Sequence, residues 1–256
     1  QEVFWRIYWK GWLEHRPKLW NDYLSYSVKN VDNEVLEKAY SGTTNIECFN
    51  DWVDELKSTN YLHNHTRMWF ASIWIFTLNL PWQLGANFFM KHLYDGDAAS
   101  NTLSWRWVAG LQTIGKHYVA TSSNISKFTN GKYRPNNLNE DAEPIESSIT
   151  YDTNELDFIN LNSGNKNLII FENNLDVEFI TKIKDNYENI YFALLSNDKR
   201  VLKLSENVMT YKNLLVEDIS KKFTGSSIMV DDELISLLTS NCLLYTSDAA
   251  DDSWGV

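Results

Sequence analysis

The chain has 256 residues, 23 Lys/Arg against 34 Asp/Glu and a formal net charge of −11. That length suits one or two domains with a sizeable core, and the overall charge argues against non-specific binding to nucleic acid. The charge is unevenly placed: residues 1–134 hold 14 Lys/Arg against 12 Asp/Glu, residues 135–256 hold 9 against 22. Two modules are therefore expected, and only the front one has room for a local basic face. Cys48 and Cys242 build no disulfide framework and lack metal-ligand spacing, in keeping with a reducing cytoplasm. No signal peptide is visible.

The chain opens inside a helix over residues 2–15, with Val3, Phe4, Ile7, Tyr8 and Trp12 at helical spacing. Arg16-Pro17 stops it, because proline cannot continue a helix. A looser stretch is expected up to Ser41-Gly42. The spacing of Trp52, Val53 and Leu56 predicts a helix over Asn50–Thr59, and another begins near His63–Thr66. From Met68 to Met90 no side chain is charged, a length that would span a membrane. Asn79, Pro81, Gln83, Gly85 and Asn87 interrupt it, so the reading is a buried helix, a break and a second helix over Pro81–His92, with no membrane crossing. Asp95–Asn101 reads as a turn into a helix holding Trp105 and Trp107, the latter expected in the core. Ser122–Phe128 reads as a short helix capped by Ser122 or Ser123.

Beyond Tyr133 the character changes. Residues 135–156 have linker composition, rich in Pro, Asn, Glu and Ser. Asn167–Glu172 and Ile190–Leu195 are apolar runs of strand length with a helical pattern over Val177–Tyr187 between them, a β-α-β unit and hence a parallel pair. Val208–Tyr211 reads as a third strand, and Val216–Phe223 and Asp232–Leu238 as helices. The result is a small α/β domain over residues 157–241 whose role is not legible. No Gly-rich phosphate loop follows the first strand. Cys242–Asp251 looks like translated transposon-adaptor DNA, so residues 242–256 are expected to be a non-native tail.

The chemistry concentrates in a few ordered motifs. They are Glu2-x-x-Trp5-Arg6, Gly42-x-x-Asn45, Asn60-Tyr61-Leu62-His63-Asn64-x-x-Arg67-Met68, and Asp95-Gly96-Asp97-x3-Asn101-x3-Trp105. Two acids on a Gly hinge beside the most apolar helices suit a planar, redox-active, partly anionic ring; a plain turn with a helix cap is the other reading of that pair. In this order the motifs resemble the photolyase/cryptochrome family, specifically the C-terminal part of its helical FAD-binding domain. The match is good over residues 1–110 and looser over 111–134. The fold expected is mainly α: an all-helical, partial photolyase-type FAD-binding domain followed by the small α/β domain.

The resemblance implies roles. Asn101 would sit beside flavin N5 as a neutral amide, and Arg67 and Asp95 would form a buried ion pair against the flavin. The Asp95-Gly96-Asp97 backbone would point N–H groups at the N1/O2 edge, and Arg6 would meet a phosphate of flavin or DNA. Glu2, Trp5, Asn64 and Met68 map to the lesion pocket, where a flipped pyrimidine pair would lie. For Trp5 and Met68, plain core packing is the competing reading. His65 stands where many relatives have an arginine, which weakens phosphate binding because histidine is mostly uncharged at neutral pH. Trp105 matches the flavin-proximal member of the family's tryptophan chain and Trp82 the middle one. The third is missing around Ser27–Asn33, with Trp74, Tyr23 and Tyr26 as substitutes. No metal site is expected, since His63 and His65 have the wrong spacing for a helical pair.

The activity so implied is light-driven repair of cyclobutane pyrimidine dimers by electron transfer from reduced FAD. Damaged DNA would be the partner, and the protein a cytoplasmic monomer. The alternatives are a cryptochrome-like photoreceptor that binds FAD without repairing DNA, and a helical domain that has lost its flavin. The motifs say nothing of an antenna chromophore.

Overall fold

The computed structural model describes residues 2–113, 115–155, 167–238 and 243–245, and the side chains of these apart from residues 2–3, 237–238 and 243–245. By its contacts the chain divides into two units. One holds residues 1–9 and 18–152, the other residues 10–17 and 153–256. Helix α1 (Glu2–Glu14) contributes its first residues to the former and its last to the latter.

The first unit is helical. Residues expected to be loose form two helices, α2 (Pro17–Leu24) and α3 (Asn33–Ser41). They are short, so the apolar period barely repeats: α2 buries only Leu19, Trp20 and Tyr23. The termini of α3 are built from local chemistry. Asp32 accepts hydrogen bonds from the Glu34 and Val35 N–H groups, and Gly42 closes the other end at φ 72°. Helix α4 (Glu47–Thr59) buries Cys48, Phe49, Trp52, Val53 and Leu56, the stripe expected of an amphipathic helix.

The uncharged run resolves as foreseen. Helix α5 (Asn64–Ser72) passes into a π-helical turn over Ile73–Thr77, the chain reverses at Asn79 (φ 51°), and α6 (Trp82–His92) starts after Pro81. Among the described residues no helix is long and apolar enough to cross a membrane. Helix α7 (Ala98–Ala109) packs against α5 and α6. Helix α8 (Ser122–Phe128) is capped by Thr121, whose hydroxyl accepts from the Asn124 N–H; the cap is one residue before the serines expected to supply it. The core is aromatic: Phe49, Phe70, Trp74, Phe89 and Trp105 are all buried and in mutual ring contact. Fully burying each such side chain contributes about 1.5–3 kcal/mol.

After α8 the chain has neither helix nor strand up to residue 155, but it is pinned to the helices. Tyr133 donates to Asp51 (2.6 Å), Asn139 to the Phe76 carbonyl (3.2 Å), and the Ile145 N–H to the Ala109 carbonyl (2.9 Å).

The second unit is a parallel sheet of β1 (Asn167–Phe171), β2 (Asn189–Leu194), β3 (Ser227–Val230) and β4 (Leu243–Tyr245), in the order β3-β2-β1-β4. The expected β-α-β unit is present: β1 and β2 pair in parallel, with α9 (Val177–Ile183) between them in sequence. Strand β1 is covered on both faces, as parallel strands are. Leu168 and Ile170 join Ile180, Phe192, Val216, Ile219 and Phe223, while Ile169 and Phe171 join Ala193 and Leu234.

The third strand was misplaced by the pattern. Val208–Tyr211 lies inside α10 (Glu206–Ser220), and the third strand is β3. A short apolar run does not separate strand from helix; here Ser205 caps the run as a helix start, accepting from the Val208 N–H. Helix α11 (Asp232–Leu238) falls where expected. Strand β4 lies within the stretch read as adaptor-derived and pairs with β1. Residues 246–256 of that stretch, and 157–166 at the start of the α/β domain, lie outside the described residues.

Candidate functional site

A cavity of about 670 Å³ opens in the helical unit among α1, α5, the α6–α7 turn and α7. Its size is that of a small-ligand pocket. Trp5, Arg6, Asn64, His65, Arg67, Met68, Asp95, Gly96, Asp97, Asn101 and Trp105 all line it. Eleven residues chosen for one site thus share one cavity, from stretches up to ninety residues apart. The Glu2 side chain lies outside the described residues, and Trp82 is absent from the lining.

The charged group centres on Asp95. Arg67 meets it with two parallel hydrogen bonds, Nη1 to Oδ2 at 3.1 Å and Nη2 to Oδ1 at 3.0 Å, while its Nε donates to the Leu62 carbonyl. This two-pronged geometry is the strong form of a guanidinium–carboxylate pair. Arg6 approaches the same residue, its Nη2 donating to the Asp95 carbonyl at 3.3 Å and standing 3.6 Å from Oδ2. The pair was expected to be buried and is not: the Asp95 side chain is 41% exposed and Arg67 23%. The turn carrying Asp95 runs straight into Asp97, the N-cap of α7, and all three residues of the turn line the cavity. Two guanidinium groups share the Asp95 carboxylate, and Asp97, engaged as the α7 cap, is a second carboxylate in the same lining.

Helix α7 supplies the wall. Asp97 caps it by accepting from the Ser100 N–H at 2.8 Å, which fixes the helix start and its positive dipole end beside the cavity. Residues 97, 100, 101, 104, 105 and 108, at helical spacing, all line the cavity. The Asn101 side-chain amide donates to the Ala86 carbonyl at 2.9 Å. That bond fixes the orientation of the amide on the cavity wall. Trp105 is buried against Phe89, Phe70 and Trp74. It crosses α6 at Gly85, where a Cβ would stand 2.5 Å from Trp105 Cζ3 and closer still to Cη2.

The outer wall is apolar and partly exposed. Trp5, 51% exposed, stacks on Trp9 at 5.8 Å, and Met68 is half-buried beside it in the lining. His65 sits in an aromatic cluster, its ring 5.0 Å from Phe128 and 5.5 Å from His63. His63 also caps α5, its Nδ1 accepting from the His65 N–H. The sequence reading missed Trp9, Ser100 and Ser104 and placed Trp107 in the core. Trp107 is half-buried and lines the cavity. Trp9 follows Trp5 by four residues, and Ser100, Ser104 and Trp107 flank Asn101 and Trp105 on α7, so helical spacing alone was the signal for each.

These residues fit a planar, polar, partly anionic ring. Ser100 and Trp105 line the cavity, and the Ser100 Oγ and Trp105 Nε1 atoms are buried with no hydrogen-bond partner, which such groups ordinarily have. Beside them stand an amide acceptor, a helix N-terminus and two guanidinium groups. No group of side chains suited to a metal ion occurs among the described residues.

The model of the FAD binding domain of DNA photolyase matches residues 1–140, more than half of the sequence. This chain belongs to the photolyase/cryptochrome family. It is 33% identical over 115 residues to the deoxyribodipyrimidine photo-lyase of Streptomyces griseus, covering 44% of this chain and 25% of that protein. It is 28% identical over 140 residues to the enzyme of that name from Vibrio cholerae, covering 53% and 29%. Against that of Escherichia coli the figures are 28% over 125 residues, 46% and 26%. The chain thus spans between a quarter and a third of these relatives' length. The family match covers the whole cavity wall, from Trp5 to Val108.

Proposed function

We propose that this polypeptide is the flavin-cradling and lesion-facing part of an enzyme that repairs cyclobutane pyrimidine dimers in DNA with light. The observation that carries the reading is the convergence of Arg67, Asp95, Asp97, Asn101 and Trp105 on one cavity whose outer wall holds Trp5, Asn64 and Met68. FAD, when bound, supplies the light-driven one-electron chemistry. The chain's residues do the rest. Arg67 and Arg6, both held on Asp95, offer guanidinium groups to an anionic group. Asn101 Oδ1 accepts a ligand N–H without adding charge. Trp5 gives a flat apolar surface for a flipped-out pyrimidine pair of one strand, which must leave the stack to be reached. Asn64 hydrogen-bonds exposed base edges, and Met68 fills soft apolar space beside them.

A second reading, a flavin photoreceptor that does not repair DNA, draws on His65. Its ring is engaged with Phe128, His63 and Trp69 and offers no permanent cation to a phosphate. The deciding experiment illuminates the full-length, FAD-loaded protein with dimer-containing oligonucleotide. Light-dependent loss of dimers supports repair. Flavin photoreduction with no loss of dimers supports the photoreceptor, and a colourless protein that takes up no FAD removes both.

A further inference from the structure

The sheet of the α/β unit ends at β3. In the order β3-β2-β1-β4 this strand pairs with β2, from Ser227 opposite Tyr191 to Val230 opposite Leu194. Among the described residues no strand takes its other side. An edge strand turns a row of N–H and C=O groups away from its sheet, a template for one more strand. The side chains are open as well. Ser227 and Val230 are exposed and Ile228 and Met229 half-buried, whereas β1, in mid-sheet, buries four of its five residues.

Edges are ordinarily guarded by a charge, a proline or a bulge within the strand. Ser227-Ile228-Met229-Val230 holds no charge and no proline, and its register against β2 runs one-to-one without a bulge. The charges stand at the two ends instead, and their signs differ. Lys221 and Lys222, both exposed, lie in the turn that enters the strand. Asp232 and Glu233, also exposed, open the helix α11 that leaves it. Between strand and helix, Asp231 is engaged by the Ser196 N–H at 2.9 Å. Within the chain these end charges are loosely held. Lys222 Nζ is 2.9 Å from Asp218 Oδ2 and Asp232 Oδ1 is 3.3 Å from Lys199 Nζ, with every one of those side chains at least half exposed. Surface pairs of that kind contribute little and exchange partners readily.

This polarity selects both an orientation and an occupant. Two copies of β3 laid side by side in parallel would set lysines on lysines and acids on acids. Laid antiparallel about a two-fold axis, each copy's lysines meet the other's acids, at both ends at once. A second copy carries the matching charges by symmetry, and such self-complementary two-fold contacts are the commonest in oligomers.

We propose that two copies of this chain pair through β3, antiparallel, and join their four-stranded sheets into one of eight strands. Four residues a side make a small contact, so the dimer forms and dissociates with concentration. The α/β unit alone carries the proposal, and β3 lies outside the family match to residues 1–140. It departs from the monomer that the resemblance implies.

The test is sedimentation of the full chain over a series of concentrations, with charge-reversed variants. The parent is expected to pass from monomer to dimer as concentration rises. K221E/K222E sets acids against acids at both ends, and D232K/E233K sets lysines against lysines. Each is expected to weaken dimerisation roughly tenfold or more, because every end pair turns from attractive to repulsive. Mixed one to one, the two variants should associate again, since each supplies what the other lacks. A chain carrying all four changes should dimerise by itself, which separates lost pairing from a damaged fold. A parent that stays monomeric throughout overturns the proposal. A dimer left unchanged by both charge reversals places the contact elsewhere, and one weakened by them but not restored on mixing overturns the antiparallel arrangement.

Discussion

Gly85 shows how one missing methyl group shapes the site. Trp105 lies over it so closely that a Cβ would overlap the indole, and the neighbouring rings of Phe70, Phe89 and Trp74 leave that indole little room to retreat. Gly85→Ala is expected to cost about 1–3 kcal/mol, the usual range for overpacking a core. It should also move Trp105 off the cavity wall, with urea unfolding measuring the first effect and FAD affinity the second. Asp95→Asn tests the charged cluster. With the carboxylate 41% exposed, its loss should cost stability only about 1–2 kcal/mol, between the values for surface and buried pairs. Flavin content should fall much further, because both guanidinium groups lose the anchor that aims them. A variant that retains its full flavin-to-protein ratio would remove Asp95 from the cradle. These side chains were legible by their type and order. That the pair stands open to solvent was not, because exposure depends on which helices close over the turn.

Among the elements, α7 is the one on which the site depends, and Asp97 is its start. Asp97→Ala should cost about 1 kcal/mol by removing the N-cap, whereas Asp97→Ser keeps a capping oxygen and loses only the charge. Comparing FAD affinity and thermal unfolding of the two separates the cap from the anion. If both variants unfold like the parent, the cap contributes nothing. The elements also show where local pattern has power. Helices α4 to α7 announce themselves through long apolar stripes and the break at Asn79-Leu80-Pro81. Helices α2 and α3 are too short to repeat a period, although Asp32 and Gly42 marked the ends of α3. Val208–Tyr211 had strand composition and became helix because Ser205 capped it and Val216 and Ile219 continued its buried face.

For the molecule as a whole, acid is the informative stress. Burial, then Lys91 and Lys57, push the half-buried His92 imidazole down to about 4 from 6.5. The unfolded chain thus binds a proton that the folded one refuses. This stability is complete above pH 6.5 and is lost as pH falls from there toward 4, by about 1–2 kcal/mol once its partial exposure is allowed for. His92→Gln should flatten that part of a stability-against-pH curve measured by urea unfolding. In the α/β unit, burial pushes the Glu172 carboxyl up, but Lys212 and Arg200 outweigh it and hold it below its usual range. Its contribution is therefore present above about pH 4.5 and lost as pH falls through the lower folded value. Breaking the cluster with Glu172→Gln should destabilise that unit by about 3–5 kcal/mol, since two cations then lose their buried partner. A measured loss below 1 kcal/mol would show that water reaches them.

The sequence by itself determined the class of each half, the family of the first and eleven of the twenty-two residues that line the cavity, because apolar period, helix caps and chemical type are properties of the chain read locally. Tertiary structure decided which of those residues meet. It put Trp105 beside Trp74 and set the Arg106 guanidinium over Trp82. It also drew a coil of linker composition down onto the helices. Each of these follows from packing between segments far apart in the chain, where distance in sequence carries no information about distance in space.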